Sequence, residues 1–190
     1  MQLLKERILK EGRVLPGSII KVDGFLNHQV DIGLMQEVGK EFRRLFPQKE
    51  INKILTVEAS GIALAALTAL EFKVPMVFAK KAKSDNIEGG LYQCEIFSYT
   101  YKKKVTLLLS KDWLKPEDNI LIIDDFLANG EALSGLINIV EQSGATLYGV
   151  GIALEKGFQK GGAMLRANGV NLKSLAIIDE ADEHAIRFRE

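Results

Sequence analysis

The run Ile120-Leu121-Ile122-Ile123 leads straight into two acids, Asp124 and Asp125, and then, past Phe126 and Leu127, into Ala128-Asn129-Gly130-Glu131-Ala132. An apolar strand thus meets a pair of carboxylates and a small-residue turn, and helical spacing starts at once beyond it. Backbone N–H groups at 128–132 would point out of a helix N-terminus, where the helix dipole favours negative charge and small residues let a phosphate come close. The two acids would repel that phosphate. They suit what flanks a phosphate in a sugar phosphate, namely ribose hydroxyls or a metal ion held by them. Neighbouring strand residues point to opposite faces, so one carboxylate is expected to face the ligand and the other to be held elsewhere, unless the strand bends there. The same pattern also fits a plain strand-to-helix turn whose acids cap the helix. Neither G-x-x-x-x-G-K-[ST] nor G-x-G-x-x-G after the first strand is present, which excludes those two nucleotide-binding motifs.

Other segments carry candidate chemistry. Glu58-Ala59-Ser60-Gly61 follows an apolar strand and opens a helix, with Ser60 also suited to be an ordinary N-cap. The stretch 79–90, AKKAKSDNIEGG, is basic and then Gly-rich, a composition that also describes a solvated face. His28 suits a structural role, and the lone Cys94 reads as a small core residue.

Stepping along the chain, the spacing predicts helices over 3–10, 33–46, 61–72, 130–143 and 158–168. Strands are expected at 53–58, 75–80, 119–124, 147–155 and 174–178, with a further pair, 94–101 and 104–110, joined by a tight basic turn. Short apolar strands alternating with helices predict an α/β fold with a mostly parallel central sheet covered on both faces. In such sheets ligands bind where strand C-termini meet helix N-termini, at a switch in strand order.

The 190 residues suit one domain, and 47% hydrophobic content with mixed charge is that of a globular protein. With 25 basic and 25 acidic residues the formal net charge is zero, which argues against a nucleic-acid partner. No apolar run approaches the roughly 18–20 residues that span a bilayer. The N-terminus, MQLLKERILKEG, mixes charges of both signs and lacks the apolar block of a signal peptide. A single cysteine excludes an internal disulfide framework, so a soluble protein of the reducing cytoplasm is expected.

LIIDDFLANGEA (121–132) resembles the phosphoribosyl-pyrophosphate (PRPP) motif of the type I phosphoribosyltransferases. FLNHQV (25–30), TVEASGIA (56–63), FAKKAKS (78–84) and EKGFQ (155–159) extend the likeness over most of the chain. Together they resemble the bacterial xanthine phosphoribosyltransferases. FLNHQ and EKGF carry that narrower likeness, because the adenine-specific branch shares the strand, acid and lysine segments.

The resemblance implies the type I phosphoribosyltransferase fold as one domain, with a core at about 31–155 and a small hood from about 1–30 and 156–190. It implies displacement of pyrophosphate from PRPP by a purine nitrogen. Ala128, Asn129, Gly130, Glu131 and Ala132 would bind the 5′-phosphate, with the Glu131 side chain turned away or capping its own helix. Asp124 and Asp125 would hold the ribose hydroxyls, directly or through Mg²⁺. Ala59, Ser60 and Gly61 would take the pyrophosphate, and two anion sites in one sheet suit a ligand with phosphates at both ends. Lys80 and Lys81, with Lys83 behind them, would stabilise the leaving pyrophosphate from a closing loop.

Ile20, Asn27 and Lys156 would contact the purine, with Phe25 or Phe158 stacking on it or simply packing in the core. Several relatives carry an acid at the position of Ala128 as base for the purine N–H. Alanine cannot accept that proton, so another group accepts it or xanthine reacts as its anion, and no general base is named. A homodimer is implied. Two alternatives stand beside this reading: a PRPP-binding transcriptional regulator of the same fold, for whose DNA-binding domain the first 30 or so residues leave no room, and an enzyme acting on guanine or hypoxanthine.

Overall fold

The computed structural model describes residues 1–81, 90–98, 103–182 and 185–190. In chain order these form α1 (Gln2–Glu11), the hairpin β1 (Arg13–Leu15) and β2 (Ile19–Lys21), a π-helical turn (Asp23–Asn27) and α2 (Ile32–Leu45). Then come β3 (Lys53–Val57), α3 (Gly61–Phe72), β4 (Met76–Ala79), β5 (Leu91–Ser98) and β6 (Lys103–Ser110). The last part is β7 (Asn119–Leu127), α4 (Glu131–Ser143), β8 (Thr146–Lys156), α5 (Gly161–Ala167), β9 (Leu172–Ala181) and β10 (Ile186–Phe188).

Six strands make the central sheet in the order β10-β9-β8-β7-β3-β4, and all are parallel except β10, which runs antiparallel to β9. β3 and β7 are neighbours from which the chain proceeds in opposite directions across the sheet. Their C-terminal ends therefore border the crevice expected at a switch in strand order.

Apolar residues on both faces of these strands require cover on both sides. On one face Ile54, Leu121 and Ile123 pack with Leu34, Met35, Val38 and Phe42 of α2 and with Leu64, Ala65 and Ala69 of α3. The spacing of the α2 residues is that of one helical stripe, and Asp31 caps this helix by accepting the Leu34 N–H at 3.0 Å. Phe42 is fully buried, so truncating it to alanine should cost about 3–5 kcal/mol. On the other face Leu55, Val57, Ile120, Ile122, Val150 and Ile152 pack with Leu133, Leu136, Ile139 and Val140 of α4 and with Ile96, Leu107 and Leu109 of the β5–β6 hairpin. Gly135 lets the hairpin lie close on α4, because a Cβ there would sit 2.7 Å from Ile96 Cγ2.

The N-terminal segment lies against the C-terminal one. Lys5 Nζ donates to the Arg189 carbonyl at 3.0 Å, the Ser18 hydroxyl to the Ala181 carbonyl at 3.0 Å, and the Met1 ammonium to the Leu175 carbonyl.

Three sequence expectations change. β7 does not stop at the acids but runs on to Leu127, because β8 is long enough to pair with it through Leu127–Glu155. Its pairing with β3 ends at Leu55–Ile122, which leaves the acids open on that side. Residues 157–160 form a turn, so the helix expected from 158 starts at Gly161. β5 starts at Leu91, earlier than expected, and the turn expected at 102–103 includes residue 102, which lies outside the described residues. Among the described residues no helix is long and apolar enough to cross a membrane.

Candidate active site

A cavity of about 390 Å³ opens at the C-terminal ends of β3, β7 and β8. Its floor is the β7–α4 turn. Ala128, Asn129, Gly130, Glu131 and Ala132 all line it. Gly130 holds φ +89° as the chain enters α4, a conformation that favours glycine, and no side chain caps the helix. The N-terminus of a 13-residue helix, with no side-chain cap, therefore borders the cleft.

Asp124 and Asp125 are both buried and both line the cavity, so neither is turned away as strict strand alternation would have it. The pair is held as a unit. The Asp125 N–H donates to Asp124 Oδ1 at 3.0 Å, the Ser60 hydroxyl donates to Asp125 Oδ1 at 3.0 Å, and Asn27 Nδ2 donates to Asp125 Oδ2 at 3.4 Å. Burial first, and then the neighbouring Asp125 carboxylate, pushes the Asp124 carboxyl well above the ordinary aspartate range, with Lys81 opposing. Gly61 is required beside it. A Cβ there would lie 2.2 Å from Thr56 Oγ1 and 2.7 Å from Asp124 Oδ1.

Ser60 precedes α3 but does not cap it; its hydroxyl serves Asp125 instead. The Glu58–Ala59 peptide is cis. Glu58 Oε1 accepts the Lys81 N–H at 2.6 Å, which ties this turn to the start of the lysine segment. Ser60 and Lys81 line the cavity, whereas Ala59, Gly61 and Lys80 do not. The Lys80 main chain is instead paired with Leu108, N to O at 2.8 Å and O to N at 2.9 Å, which attaches the hairpin to the sheet. Lys83 lies outside the described residues.

At the other end Ile20, Asn27 and Lys156 line the cavity. Burial lowers the Lys156 ammonium below the ordinary lysine value. Phe25 does not reach the cavity. The π-helical turn points Phe25 and Leu26 into the core and brings Asn27 out, and the Arg7 guanidinium sits 5.4 Å from the centre of the Phe25 ring. Phe158 is exposed in the turn after β8 and is not a wall either. The aromatic walls are Phe97 of β5 and Phe126 of β7, beside Val57, Ile96, Leu127 and Leu133. His28 is exposed and does not line the cavity.

The sequence reading missed Phe97, Phe126 and Glu58. Phe126 directly follows the acids and so carried a local signal, whereas Phe97 lies in a strand remote from every motif and carried none. Among the described residues no three His, Cys, Asp or Glu side chains converge as a metal site. Asp124 and Asp125 alone make an incomplete ligand set, which fits a cation whose remaining oxygens come from a bound sugar phosphate and water.

No family model matches the chain. A xanthine phosphoribosyltransferase of Lachnoclostridium phytofermentans is 56% identical over 191 aligned positions, covering 100% of this chain and 98% of that protein. One of Ruminiclostridium cellulolyticum is 56% identical with 100% of both covered, and one of Clostridioides difficile is 46% identical with 100% of both covered. Among solved structures, adenine phosphoribosyltransferase of Giardia lamblia in complex with 9-deazaadenine aligns with a TM-score of 0.78 at 22% identity, over 94% of this chain and 98% of that one. The enzyme of Rhodothermus marinus gives 0.75 at 20% identity, over 94% and 100%. These structures share the fold, and the full-length sequence relatives decide the branch: the chain belongs to the xanthine phosphoribosyltransferase family, on the type I phosphoribosyltransferase fold.

Proposed function

We infer that this chain is a purine-salvage enzyme that transfers the phosphoribosyl group of PRPP to xanthine, giving xanthosine 5′-monophosphate and pyrophosphate. Beside family membership, one observation carries the reading. A buried acid pair lies between two strand-to-helix turns and is linked to both Ser60 and Asn27.

Each part has a role in that reaction. Backbone amides at 128–132 hold the 5′-phosphate, and the Asn129 side chain closes on it. Asp125 and Asp124 accept hydrogen bonds from the ribose hydroxyls and so orient C1′. Ala59, Ser60 and Gly61 take the pyrophosphate at the start of α3. A purine ring nitrogen forms the new bond to C1′ as the bond from C1′ to the pyrophosphate oxygen breaks. Negative charge grows on the leaving group, where Lys81 and the α3 terminus stabilise it, with Lys80 beside them. Mg²⁺, bound together with PRPP, would neutralise pyrophosphate charge, and Asp124 and Asp125 would hold it through ribose hydroxyls or water.

The purine sits between Ile20, Asn27 and Lys156. The last two offer N–H donors to the carbonyl oxygens of xanthine, and Phe97 or Phe126 supplies a ring face. Ala128 cannot accept the purine proton, which suits reaction of xanthine as its anion. Contacts of Lys5 with Arg189 and of Ser18 with Ala181 support a hood made from residues 1–30 and 156–190. A cytoplasmic homodimer completes the proposal.

The test compares xanthine, guanine, hypoxanthine and adenine by pyrophosphate release from PRPP with Mg²⁺. Xanthine should be the preferred base. Turnover of adenine alone would refute the hood assignment, and operator-DNA binding without turnover of any base would favour a regulator.

A further inference from the structure

The strand β8 ends in two neighbours with different tasks. Lys156 lines the cavity. Glu155 is 2% exposed and sits between Leu127 of β7 and Ile177 of β9. Its carboxylate accepts both arms of the Arg166 guanidinium at 2.7 and 2.7 Å and also the Ser174 hydroxyl. The first turn of α5 is drawn down onto this group, for a Cβ on Gly162 would lie 1.9 Å from Glu155 Oε1.

One residue earlier, α5 touches the phosphate turn. The Gly161 N–H donates to the Ala128 carbonyl at 3.2 Å. A Cβ on Gly161 would lie 2.4 Å from that carbonyl oxygen and 2.7 Å from both the Asn129 carbonyl carbon and the Gly130 nitrogen. From the facing side, a Cβ on Gly130 would meet Gly161 Cα and Met164 Cε at 3.3 Å each. Backbone thus rests on backbone between α5 and residues 128–130.

We propose that the Glu155–Arg166 pair, acting through Gly161 and Gly162, is a strut that positions the 128–132 turn for the 5′-phosphate. The proposal rests on the reading of that turn as the phosphate site. All four are positioning residues, since none of them lines the cavity. Backbone amides stabilise an anion only when their N–H vectors are already aimed, and a turn built on Ala, Asn and a left-handed Gly has little of its own to hold that aim. A buried ion pair is seldom the most stabilising filling for a core, and apolar residues of equal volume often do as well or better. What the two-armed Arg166–Glu155 contact adds is a fixed direction and distance.

The experiment varies PRPP and xanthine independently for Gly161→Ala, Arg166→Ala and Arg166→Lys, and measures ribose 5-phosphate binding and the ligand-free melting midpoint alongside. Gly161→Ala should raise the KM for PRPP and the Kd for ribose 5-phosphate about tenfold or more, because sub-ångström to ångström misplacement of a binding group costs up to about a hundredfold. The KM for xanthine should stay within about twofold of wild type, as expected when the loss is confined to one substrate. Arg166→Ala, at a partly exposed position, should change PRPP use in the same direction, and Arg166→Lys should recover part of it by keeping the charge without the fork. An unchanged KM for PRPP in folded Gly161→Ala, or PRPP and xanthine KM rising together in step with lost stability in the Arg166 variants, would overturn the strut. A wild-type protein that turns over xanthine yet binds no ribose 5-phosphate would overturn the phosphate assignment itself.

Discussion

The Ser60 hydroxyl donates to Oδ1 of Asp125 at 3.0 Å, which joins the start of α3 to a carboxylate that lines the cleft. The turn assigned to pyrophosphate and the acid assigned to ribose are thereby one hydrogen-bonded unit. Asp125→Asn keeps an oxygen for Ser60 but removes the charge. It should lower kcat/KM for PRPP about 10–100-fold with every base, as expected for loss of a hydrogen bond to a charged group. Lys156→Ala should instead act mainly on the KM for xanthine. Steady-state kinetics with two bases check both, and equal effects of the two variants on all terms would refute the division of labour.

Gly61 has no room for a side chain, since Thr56 Oγ1 and Asp124 Oδ1 both lie within 3 Å of where a Cβ would be. Gly61→Ala should cost about 1–3 kcal/mol in stability, as overpacking does, and should also raise the KM for PRPP by moving Asp124. Gly24→Ala is the control. Nothing lies within 4 Å of its Cβ position, so its urea midpoint should correspond to a change within about 0.5 kcal/mol.

Burial lowers the Lys156 pKa, so its ammonium is lost at a lower pH than the roughly 10.4 of an ordinary lysine. The KM for xanthine should therefore rise on the alkaline side before that value is reached. Lys156→Arg should remove the rise. The ionisation of xanthine is common to both proteins and cancels in their ratio, which is the quantity to plot.

The Glu155 pKa is lowered too, but there the shift favours the charged form. Although burial alone would raise it, the Arg166 fork and the Ser174 hydroxyl hold its carboxyl below the ordinary glutamate value. Its unfolded form therefore takes up a proton at higher pH than its folded form. The stability it contributes is complete above the unfolded value of about 4.3 and is lost as pH falls through the folded one. Denaturation midpoints of wild type and Glu155→Gln should differ at pH 7 and converge in acid, with wild type showing the steeper loss.

Part of the candidate site was legible as local pattern, in the strand-end acids and small-residue helix starts, whereas Ile20, Asn27 and Lys156 came from the family resemblance. Asp124, Asp125, the 128–132 turn, Ser60, Lys81, Asn27, Ile20 and Lys156 all come together at one cavity. What escaped depends on direction and distance. Phe25 looked like a stacking residue next to Asn27, yet the π-helical turn sends the two side chains to opposite sides. Phe97 is far from every motif in sequence and reaches the cavity because Gly135 lets the hairpin close on α4. The β1–β2 hairpin and β10 are three-residue strands, too short for periodicity to register. The role of Ser60 could not be decided locally either, since a helix cap and a partner for Asp125 call for the same residue.

One contact joins the two ends of the cleft. Asn27, proposed to contact the purine, donates to Asp125, proposed to hold the ribose, at 3.4 Å. On the proposed assignment both substrates compete for that contact, so the first to arrive displaces it and the second finds its partner already released. Xanthine and PRPP should therefore bind cooperatively, each tightening the other by the same factor. Asn27→Ala, having nothing to break, should leave the two affinities independent.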